Sequence, residues 1–249
     1  MDLKKHLNPS QYEAVTQAEG PLLVIAGAGS GKTRVIEYRV LHLVHSGAEP
    51  ASILLLTFTR KAAKEMISRV ERHEARCKHI EGGTFHSFAY KALRQYAKSL
   101  GFTHSFSILD ESEAEEAINR CAAKLGFVDR EKRFPRKDTL KNIISVSVNK
   151  HAHIEDVIKR EYPHFLEYAE DIEKLRKEYA EYKINKNYMD YDDLLVYLKL
   201  LLENPEMRDR ISGKYKYIMV DEYQDTNALQ GAITYLLGKS HNNVMVVGD

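Results

Sequence analysis

The stretch Pro21-Leu-Leu-Val-Ile-Ala-Gly-Ala-Gly-Ser-Gly-Lys-Thr33 combines a short apolar run with a glycine-rich turn. Beyond it, apolar residues recur at helical spacing from Lys32 to about His45. This succession predicts a buried strand, a loop and a helix, which is the context that a phosphate-binding loop requires. Glycines allow the backbone to curl, so that successive N–H groups and the helix N-terminus point at phosphate oxygens. The stretch therefore predicts a P-loop NTPase fold.

Two residues at the end of the turn carry most of the expected chemistry. Lys32 would reach the β- and γ-phosphates as a point charge, and the Thr33 hydroxyl would ligate Mg²⁺. We therefore expect ATP to bind with Mg²⁺ along a loop made of Ala26, Gly27, Ala28, Gly29, Ser30, Gly31, Lys32 and Thr33. The strict pattern has glycine where Ala26 stands, and the alternative is a glycine-rich turn that contains Gly-Lys-Thr by chance.

A second group of reactive residues follows the apolar run Tyr217–Val220, which predicts another buried strand. Asp221 and Glu222 stand directly after it. In a parallel sheet, the carboxyl end of this strand faces the same edge as the phosphate-binding loop. We expect Asp221 to hold the Mg²⁺ and Glu222 to orient and deprotonate the attacking water. Taken alone, an apolar run before Asp-Glu is more often a strand that meets solvent.

Strands and helices alternate along most of the chain. Further strands are predicted at residues 53–58, 78–83 and 243–247, and further helices at 61–74, 85–99, 190–202 and 227–237. This alternation predicts an α/β fold in which a parallel sheet is flanked by helices. Residues 109–187 instead contain charged amphipathic segments, with helices predicted at 112–125, 138–149 and 162–182. We expect an ATP-binding domain at residues 1–108 and 188–249, interrupted by an inserted all-α subdomain at 109–187.

The composition indicates an ordinary globular chain. Of its 249 residues, 43% are hydrophobic, and the charged residues nearly cancel to a formal net charge of +1. Any nucleic-acid binding must therefore rest on local basic clusters. The two cysteines, Cys77 and Cys121, lie outside any metal-ligand spacing, which suits a reducing cytoplasm. The longest apolar runs have the length of strands, so we expect a cytoplasmic protein without a membrane partner.

Three segments together resemble the superfamily 1 DNA helicases of the UvrD/Rep/PcrA type. They are Ala26 to Arg34, Thr57-Phe-Thr-Arg-Lys-Ala-Ala63 and Asp221-Glu-Tyr-Gln-Asp-Thr226. The match to Asp-Glu-x-Gln-Asp at residues 221–225 is highly specific, and the resemblance runs through the whole chain in order. It implies a RecA-like ATP-binding domain, a helical insertion called 1B at residues 109–187, and a place for Arg34 in the nucleotide site.

The resemblance also assigns roles to single residues. Gln11, in Leu7-Asn-Pro-Ser-Gln11, corresponds to the glutamine that reads the adenine edge. Gln224 would couple the nucleotide state to DNA, and the implied catalytic residues are Glu222, Lys32 and Gln224. The implied DNA contacts are Thr57, Phe58, Thr59, Arg60 and Lys61 on one segment, and Thr84, Phe85 and His86 on another. Family members commonly have asparagine where Arg60 stands.

As a whole, the resemblance implies a motor that uses ATP to move 3′ to 5′ on single-stranded DNA and to unwind duplex DNA. The family has more sequence after Gly248-Asp249, including a second RecA-like domain and arginines that stabilise the transferring phosphate. We expect that missing C-terminal domain to be a partner and this chain alone to be poorly active. Two other classes stay open: a helicase-nuclease recombination subunit, and a non-catalytic DNA-binding module gated by nucleotide.

Several of these residues also have simpler structural explanations. Gln11 completes a helix capping box that starts at Asn8, with Pro9 at the first helical position. His86 is otherwise a surface or capping residue, and residues 57–61 are otherwise a charged helix N-terminus. Asp190, Asp192 and Asp193 are expected to be helix-cap acids without a catalytic role. A solvated face or a contact with duplex DNA is expected for the basic residues Arg133, Arg136, Lys137, Lys141 and Lys150.

Overall fold

The structure, a computed structural model, describes residues 2–17, 19–127 and 134–249. Seven strands lie in these residues: β1 (Leu22–Ile25), β2 (Ile53–Thr57), β3 (Glu81–Thr84), β4 (Ser107–Ile108), β5 (Tyr188–Met189), β6 (Tyr217–Val220) and β7 (Val244–Gly248). Five of them form one sheet in the order β1-β7-β6-β2-β3, and every neighbouring pair is parallel. The predicted α/β fold, a parallel sheet flanked by helices, is confirmed.

Eleven α-helices lie in the same described residues. They are α1 (Pro9–Thr16), α2 (Lys32–His45), α3 (Arg60–His73), α4 (Phe85–Tyr96), α5 (Glu111–Lys124), α6 (Lys137–Lys150), α7 (Ile154–Glu161), α8 (Ala169–Lys186), α9 (Tyr191–Glu203), α10 (Pro205–Ser212) and α11 (Ala228–Gly238). The helix predicted to start at Lys32 is therefore present with the predicted bounds. It follows β1 after the glycine-rich turn, as the sequence pattern requires.

The large sheet brings several strand ends to one edge. Every residue of the inner strand β2 is buried, because helices cover both faces of such a sheet. The register pairs Leu56 with Val220 and Ile25 with Gly248. Because all five strands run in the same direction, the loops after β1, β2, β6 and β7 leave the sheet at this common edge.

One apolar core joins the first three α-helices to the sheet. It includes Val15 of α1, Ile36 and Leu41 of α2, Met66 of α3 and Leu55 of β2, which are nearly or fully buried. Full burial of a side chain of this size stabilises a fold by about 1.5–3 kcal/mol. Packing in this core therefore fixes the position of α2. The first residues of α2 are the ones expected to bind phosphate.

The chain divides into two compact units. The first contains residues 1–88, 199–226 and 230–249 and holds the large sheet, whereas the second contains residues 89–198 and 227–229. The second unit holds the parallel pair β4 and β5. The domain boundaries predicted at 108/109 and 187/188 fall directly beside these two short strands, and they stay a prediction.

The second unit has an apolar core of its own. Four helices contribute to it through fully buried aliphatic residues: Ile118 of α5, Ile143 of α6, Ile158 of α7, and Ile172 and Leu175 of α8. Each of these helices presents one apolar stripe to the others, which is the pattern expected of amphipathic helices. The described part of the predicted insertion is helical, as expected.

A buried ion cluster ties α8 to the start of α9 within the second unit. The Lys183 ammonium lies 2.6 Å from carboxylate oxygens of both Asp190 and Asp193, and the Tyr179 hydroxyl donates to Asp190 at 2.9 Å. The backbone N–H of each aspartate also donates to the carboxylate of the other at 2.9 Å, so these two acids cap α9 as predicted. The sequence pattern does not point to Lys183 as their buried partner.

Four segments differ from the sequence-based expectation. β3 begins at Glu81 rather than at residue 78, because Ala75–His79 forms a 3-10 helix. The single helix predicted at 162–182 is instead a 3-10 helix at Pro163–Tyr168 followed by α8. Neither α7 nor α10 was predicted, although Asn204 and Pro205 before α10 are ordinary helix-start signals.

In the described ranges, we find no helix that is both long and apolar enough to cross a membrane. Cys77 and Cys121 are buried as free thiols. Burial raises the pKa of each thiol to about 11. Since the thiolate is the reactive form, both cysteines are poor nucleophiles at neutral pH.

Candidate functional site

The glycine-rich turn between β1 and α2 has the backbone shape that its sequence demands. It starts beside β7, where the N–H of Ala26 donates to the carbonyl of Gly248 at 3.0 Å. Gly29 and Gly31 have φ angles of +77° and +88°, in the left-handed region that other residues rarely adopt. Glycine is therefore required at these two positions by the backbone itself.

Gln11 braces this loop from helix α1. Its backbone N–H donates to the Asn8 side chain at 2.8 Å, and its Oε1 accepts the Asn8 N–H at 3.1 Å, which confirms the predicted capping box. Its Nε2 donates to the carbonyl of Ser30 at 2.9 Å. A Cβ on Gly31 would stand only 2.9 Å from the same Nε2. The helix start and the loop thus form one hydrogen-bonded unit, while the adenine-reading role stays a prediction.

Lys32 lies where the loop meets the neighbouring strand ends. Its Nζ donates to the Ala26 carbonyl at 3.0 Å and pairs with the Asp249 carboxylate. The hydrogen bond that Lys32 donates to Asp249 raises the pKa of Lys32 against the effect of desolvation, and the charges of Asp249, Glu222 and Asp221 raise it further. The ammonium is therefore charged, and it interacts electrostatically with both acids that follow β6.

Asp221 and Glu222 turn sharply away from the end of β6. Asp221 is buried, and its N–H still belongs to the sheet, donating to the Leu56 carbonyl at 2.9 Å. Burial raises the pKa of Asp221, although the Glu222 N–H donates to Oδ1 at 3.0 Å and Lys32 favours the ionised form. Glu222 has a φ angle of +52°, unusual for a residue with a side chain. A bound cation would favour the charged form of this buried carboxyl.

Gln224 links Glu222 to the end of β7. Its Nε2 donates to Glu222 Oε2 at 2.7 Å, and its Oε1 accepts the N–H of Asp249 at 3.1 Å. A Cβ at Gly248 would stand 2.7 Å from this Oε1, so the glutamine fits because position 248 is glycine. Lys32, Asp249, Gln224 and Glu222 consequently form a continuous chain of polar contacts across the sheet edge.

The residues around the loop fit a magnesium nucleotide. A Cβ added at Gly27 or Gly29 would meet no heavy atom within 4 Å, so the space beside these positions is open to phosphate groups. Thr33 lies in the first turn of α2 and is half-buried. A hydroxyl at a helix N-terminus and a buried carboxylate such as Asp221 are hard oxygen donors of the kind that Mg²⁺ prefers. Thr33 and Asp221 would hold the metal.

Arg34 takes a different position from the other residues expected to bind nucleotide. Its guanidinium lies over the ring of Tyr38, 5.4 Å from the ring centroid. Such a cation–π contact holds the exposed side chain against its own helix. A contact between Arg34 and nucleotide stays a prediction.

The segment after β2 is exposed at only some of the positions predicted to bind DNA. Phe58 is 57% exposed, and Arg60 and Lys61 are exposed at the start of α3. The Thr59 hydroxyl accepts a backbone N–H at 3.1 Å and thereby caps that helix. Thr57 is buried, so its side chain offers no surface to nucleic acid in this conformation. The surface available to a single strand is thus aromatic and basic.

The second predicted DNA segment surrounds the junction of β3 and α4. Thr84 is buried, and its hydroxyl accepts the Ser87 N–H at 3.2 Å, which caps α4. Phe85 is 2% exposed and packs in the core, so its ring has no stacking face for DNA in this conformation. His86 is half-buried. Of these three residues, His86 is the one whose side chain reaches the surface.

Basic residues of the predicted insertion are engaged by glutamates. The ion pairs are Lys137 with Glu116, Lys141 with Glu111 at 3.6 Å, and Lys150 with Glu161 at 2.8 Å. Arg133 lies outside the described residues, and Arg136 is exposed. The pairing favours a solvated face over a contact with duplex DNA.

Comparison with known proteins shows the family in which this site occurs. Residues 7–249 match the family described as the UvrD/REP helicase N-terminal domain. The chain belongs to the UvrD/REP helicase family. The match includes the phosphate-binding loop, both acids after β6 and both segments expected to contact DNA.

Curated relatives are similar to this chain over nearly all of its length. ATP-dependent DNA helicase PcrA of Staphylococcus epidermidis strain RP62A is 37% identical over an alignment of 257 residues. The alignment covers 99% of this chain and 34% of the relative. The probable DNA helicase II homolog of Rickettsia felis is 35% identical over 258 residues, covering 98% and 37%. PcrA of Staphylococcus aureus strain Mu50 is 34% identical over 255 residues, covering 99% and 33%. The chain therefore spans about a third of the length of the curated relatives it matches.

Two residues of the candidate site, Gly248 and Asp249, were not predicted as site residues from the sequence. Gly248 ends the strand that pairs with β1, and Asp249 follows directly, so the one available signal was their place at the carboxyl edge of a parallel sheet. The structure brings the predicted residue Gln11 to the loop, and it brings Lys32 close to the acids. The Arg34 guanidinium instead lies over the ring of Tyr38 in the same helix.

Proposed function

We propose that this protein is an ATP-dependent DNA helicase and that the chain supplies the ATP-binding part of its motor. The convergence of Lys32 with Asp221 and Glu222 at one edge of a parallel sheet carries the proposal. A loop lysine and acids at a neighbouring strand end are the parts that phosphoryl transfer requires. The names of the relatives, ATP-dependent DNA helicase and DNA helicase II homolog, support the same reaction.

In this proposal, each residue of the site has one task. The loop N–H groups and Lys32 bind the phosphates, while Thr33 and Asp221 hold Mg²⁺. When bound, the metal neutralises charge on the phosphate oxygens. Glu222 accepts a proton from the attacking water as general base. Gln224, hydrogen-bonded to Glu222 at 2.7 Å, holds that carboxylate in place.

We further propose that single-stranded DNA lies along the segments that follow β2 and β3. The exposed ring of Phe58 is a stacking face for a base, and Arg60 and Lys61 are cationic donors for the DNA backbone. β2 and β6 are direct neighbours, with Leu56 paired to Val220. The proposed DNA contacts and the acids therefore follow adjacent strands, about 4.8 Å apart. Because the two strands are this close, a structural change at Asp221 can shift the segment after β2 that is proposed to bind DNA.

The whole motor needs more than this chain in our proposal, since the chain covers 34% of the PcrA relative. A second RecA-like domain would close on the nucleotide and supply arginines that accelerate phosphoryl transfer by a factor of about 10³–10⁵. The isolated chain would then bind ATP weakly and hydrolyse it slowly. We propose movement in the 3′ to 5′ direction, unwinding of duplex DNA, and a cytoplasmic location with the DNA substrate.

A strand-displacement assay on the whole protein tests this function and its direction together. The substrates are two duplexes with identical sequence, one with a 3′ single-stranded tail and one with a 5′ tail. With ATP and Mg²⁺ we expect unwinding of the 3′-tailed duplex, and no unwinding by the Lys32→Ala control. A preference for the 5′ tail would overturn the direction, and no ATP-dependent unwinding of either duplex would overturn the helicase assignment.

A further inference from the structure

Asp249 shares the ammonium of Lys32 with the phosphate-binding loop. The two groups form an ion pair, and the Asp249 side chain is 49% exposed whereas that of Lys32 is 10% exposed. The ammonium also donates to the Ala26 carbonyl at 3.0 Å. An anion that binds Lys32 must therefore share the ammonium with the Asp249 carboxylate or displace it.

The backbone of Asp249 is held more firmly than its side chain. Its N–H donates to Gln224 Oε1 at 3.1 Å, and it directly follows Gly248, the last residue of β7. Rotation about the side-chain bonds would turn the carboxylate to solvent without breaking a sheet hydrogen bond. The ion pair with Lys32 is thus the part of this arrangement that is easily exchanged.

We propose that Asp249 is a positioning residue that competes with nucleotide phosphates for Lys32. It keeps the ammonium within the loop, and a phosphate group displaces it when nucleotide binds. The inference rests on the proposed function, because it requires that the loop binds phosphates. A lysine ammonium has three donors and no acceptor. The Ala26 carbonyl and the Asp249 carboxylate already accept from this ammonium, so a phosphate bound to it would stand beside the carboxylate, and the repulsion between the two anions makes them compete.

The backbone of Asp249 is linked to the proposed general base, Glu222, by two hydrogen bonds. The Asp249 N–H bonds Gln224, and Gln224 Nε2 bonds Glu222 at 2.7 Å. A Cβ at Gly248 would stand 2.7 Å from Gln224 Oε1, so the glutamine can lie this close to the strand end because position 248 is glycine. The link to Glu222 uses the backbone N–H of Asp249 rather than its carboxylate. Glu222 therefore keeps its hydrogen bond from Gln224 when a phosphate displaces the Asp249 carboxylate from Lys32.

Equilibrium binding of a fluorescent ADP analogue to the chain, in EDTA, tests the competition without any metal contribution. Asp249→Asn keeps the shape of the side chain and removes its charge, so we expect about two- to fivefold tighter binding, as for loss of one partly exposed ion pair. Asp249→Glu keeps the charge and should bind about as weakly as the unchanged chain. The gain in Asp249→Asn should shrink as salt is raised, because screening weakens the competing ion pair.

Unchanged or weaker binding by Asp249→Asn in EDTA would overturn the inference, and so would a loss confined to Mg²⁺-containing buffer, which would mark Asp249 as part of the metal site. Asp249→Ser is a second neutral variant for use if the asparagine lowers the midpoint of thermal unfolding.

The Lys32→Ala variant distinguishes failure of the proposed function from failure of the competition. If that variant binds the ADP analogue normally, the proposed function fails. If it loses binding while Asp249→Asn gains none, the competition alone fails.

Discussion

The Nε2 atom of Gln11 donates to the carbonyl of Ser30 at 2.9 Å, so the first helix and the phosphate-binding loop share a hydrogen bond. The same side chain caps α1 through Asn8. Gln11 therefore shapes the loop whether or not it also contacts adenine. The two roles can be told apart by the ligand. A contact with adenine affects only ligands that carry the base, whereas bracing of the loop affects any ligand that binds through its phosphates.

Replacing Gln11 by alanine should weaken binding of inorganic triphosphate as well as ATP, because the loop loses its brace. Calorimetric titration of both ligands measures this. Asn8→Ala is the matched control, since it removes the cap, at a cost of about 1 kcal/mol, and keeps the bond to Ser30. Weakened ATP binding with normal triphosphate binding would assign Gln11 to the base alone.

The glycines of the loop should separate into two classes on substitution. Gly31→Ala should destabilise the chain by about 1–2 kcal/mol or more, because φ is +88° and the new Cβ would stand 2.9 Å from Gln11. Gly27→Ala should fold normally, since its Cβ meets nothing within 4 Å, yet bind nucleotide less well because the methyl enters the phosphate space. Urea unfolding and nucleotide titration measure both effects. Equal destabilisation by the two substitutions would contradict the assigned loop geometry.

Phe58 should contribute to single-stranded DNA binding through its exposed ring. A base–aromatic stack contributes about 1–3 kcal/mol, so Phe58→Ala should raise the Kd for oligothymidylate by roughly tenfold. Fluorescence anisotropy provides the measurement. Tyr235→Ala is the control, since Tyr235 is an equally exposed aromatic residue on α11 with no proposed DNA contact. Equal losses in the two variants would remove Phe58 from the proposed DNA path.

The ion cluster in the second unit should make stability depend on pH. Burial raises the pKa of Asp193 to about 7, and the charge of Asp190 acts in the same direction, whereas Lys183 opposes both. Because the folded-state pKa lies above the unfolded value, the contribution of Asp193 is full at low pH and is lost as pH rises toward 7. The loss follows a slope of up to about 1.4 kcal/mol per pH unit. Asp193→Asn cannot ionise and should lack this slope.

Urea unfolding between pH 5 and pH 8 compares the two chains. We expect the original chain to lose stability relative to Asp193→Asn as the pH rises, and parallel curves would show that Asp193 does not titrate in this window. Lys183→Met should be far more damaging, by about 3–5 kcal/mol, because it leaves buried carboxylates without their cation.

Sequence reasoning located the parts of the site that depend on neighbours in the chain. Lys32 and Thr33 are defined by the loop around them, Asp221 and Glu222 by the strand before them, and the Gln11 cap by residues three positions away. It missed Asp249, which reaches Lys32 across 217 positions of sequence. Contacts of that range depend on strand order, which local patterns do not specify.

Burial was the other property that the sequence left open. Phe58 and Phe85 both follow short strands and both were expected to contact DNA, yet one is exposed and the other lies in the core. The difference comes from packing against distant elements, since Phe85 begins a helix that is itself covered. Lys183 shows the same effect, because a lysine near a helix end is usually solvated and this one is buried between two acids.

The central claim is that Lys32, Asp221 and Glu222 form one site for ATP hydrolysis coupled to DNA. The most direct test is the rate of ATP hydrolysis by the whole protein, with and without single-stranded DNA, for the original protein, Lys32→Ala and Glu222→Gln. We predict DNA-stimulated hydrolysis in the original protein and its loss in both variants, with ATP binding retained by Glu222→Gln and lost by Lys32→Ala. Undiminished, DNA-stimulated turnover in Lys32→Ala would contradict the account.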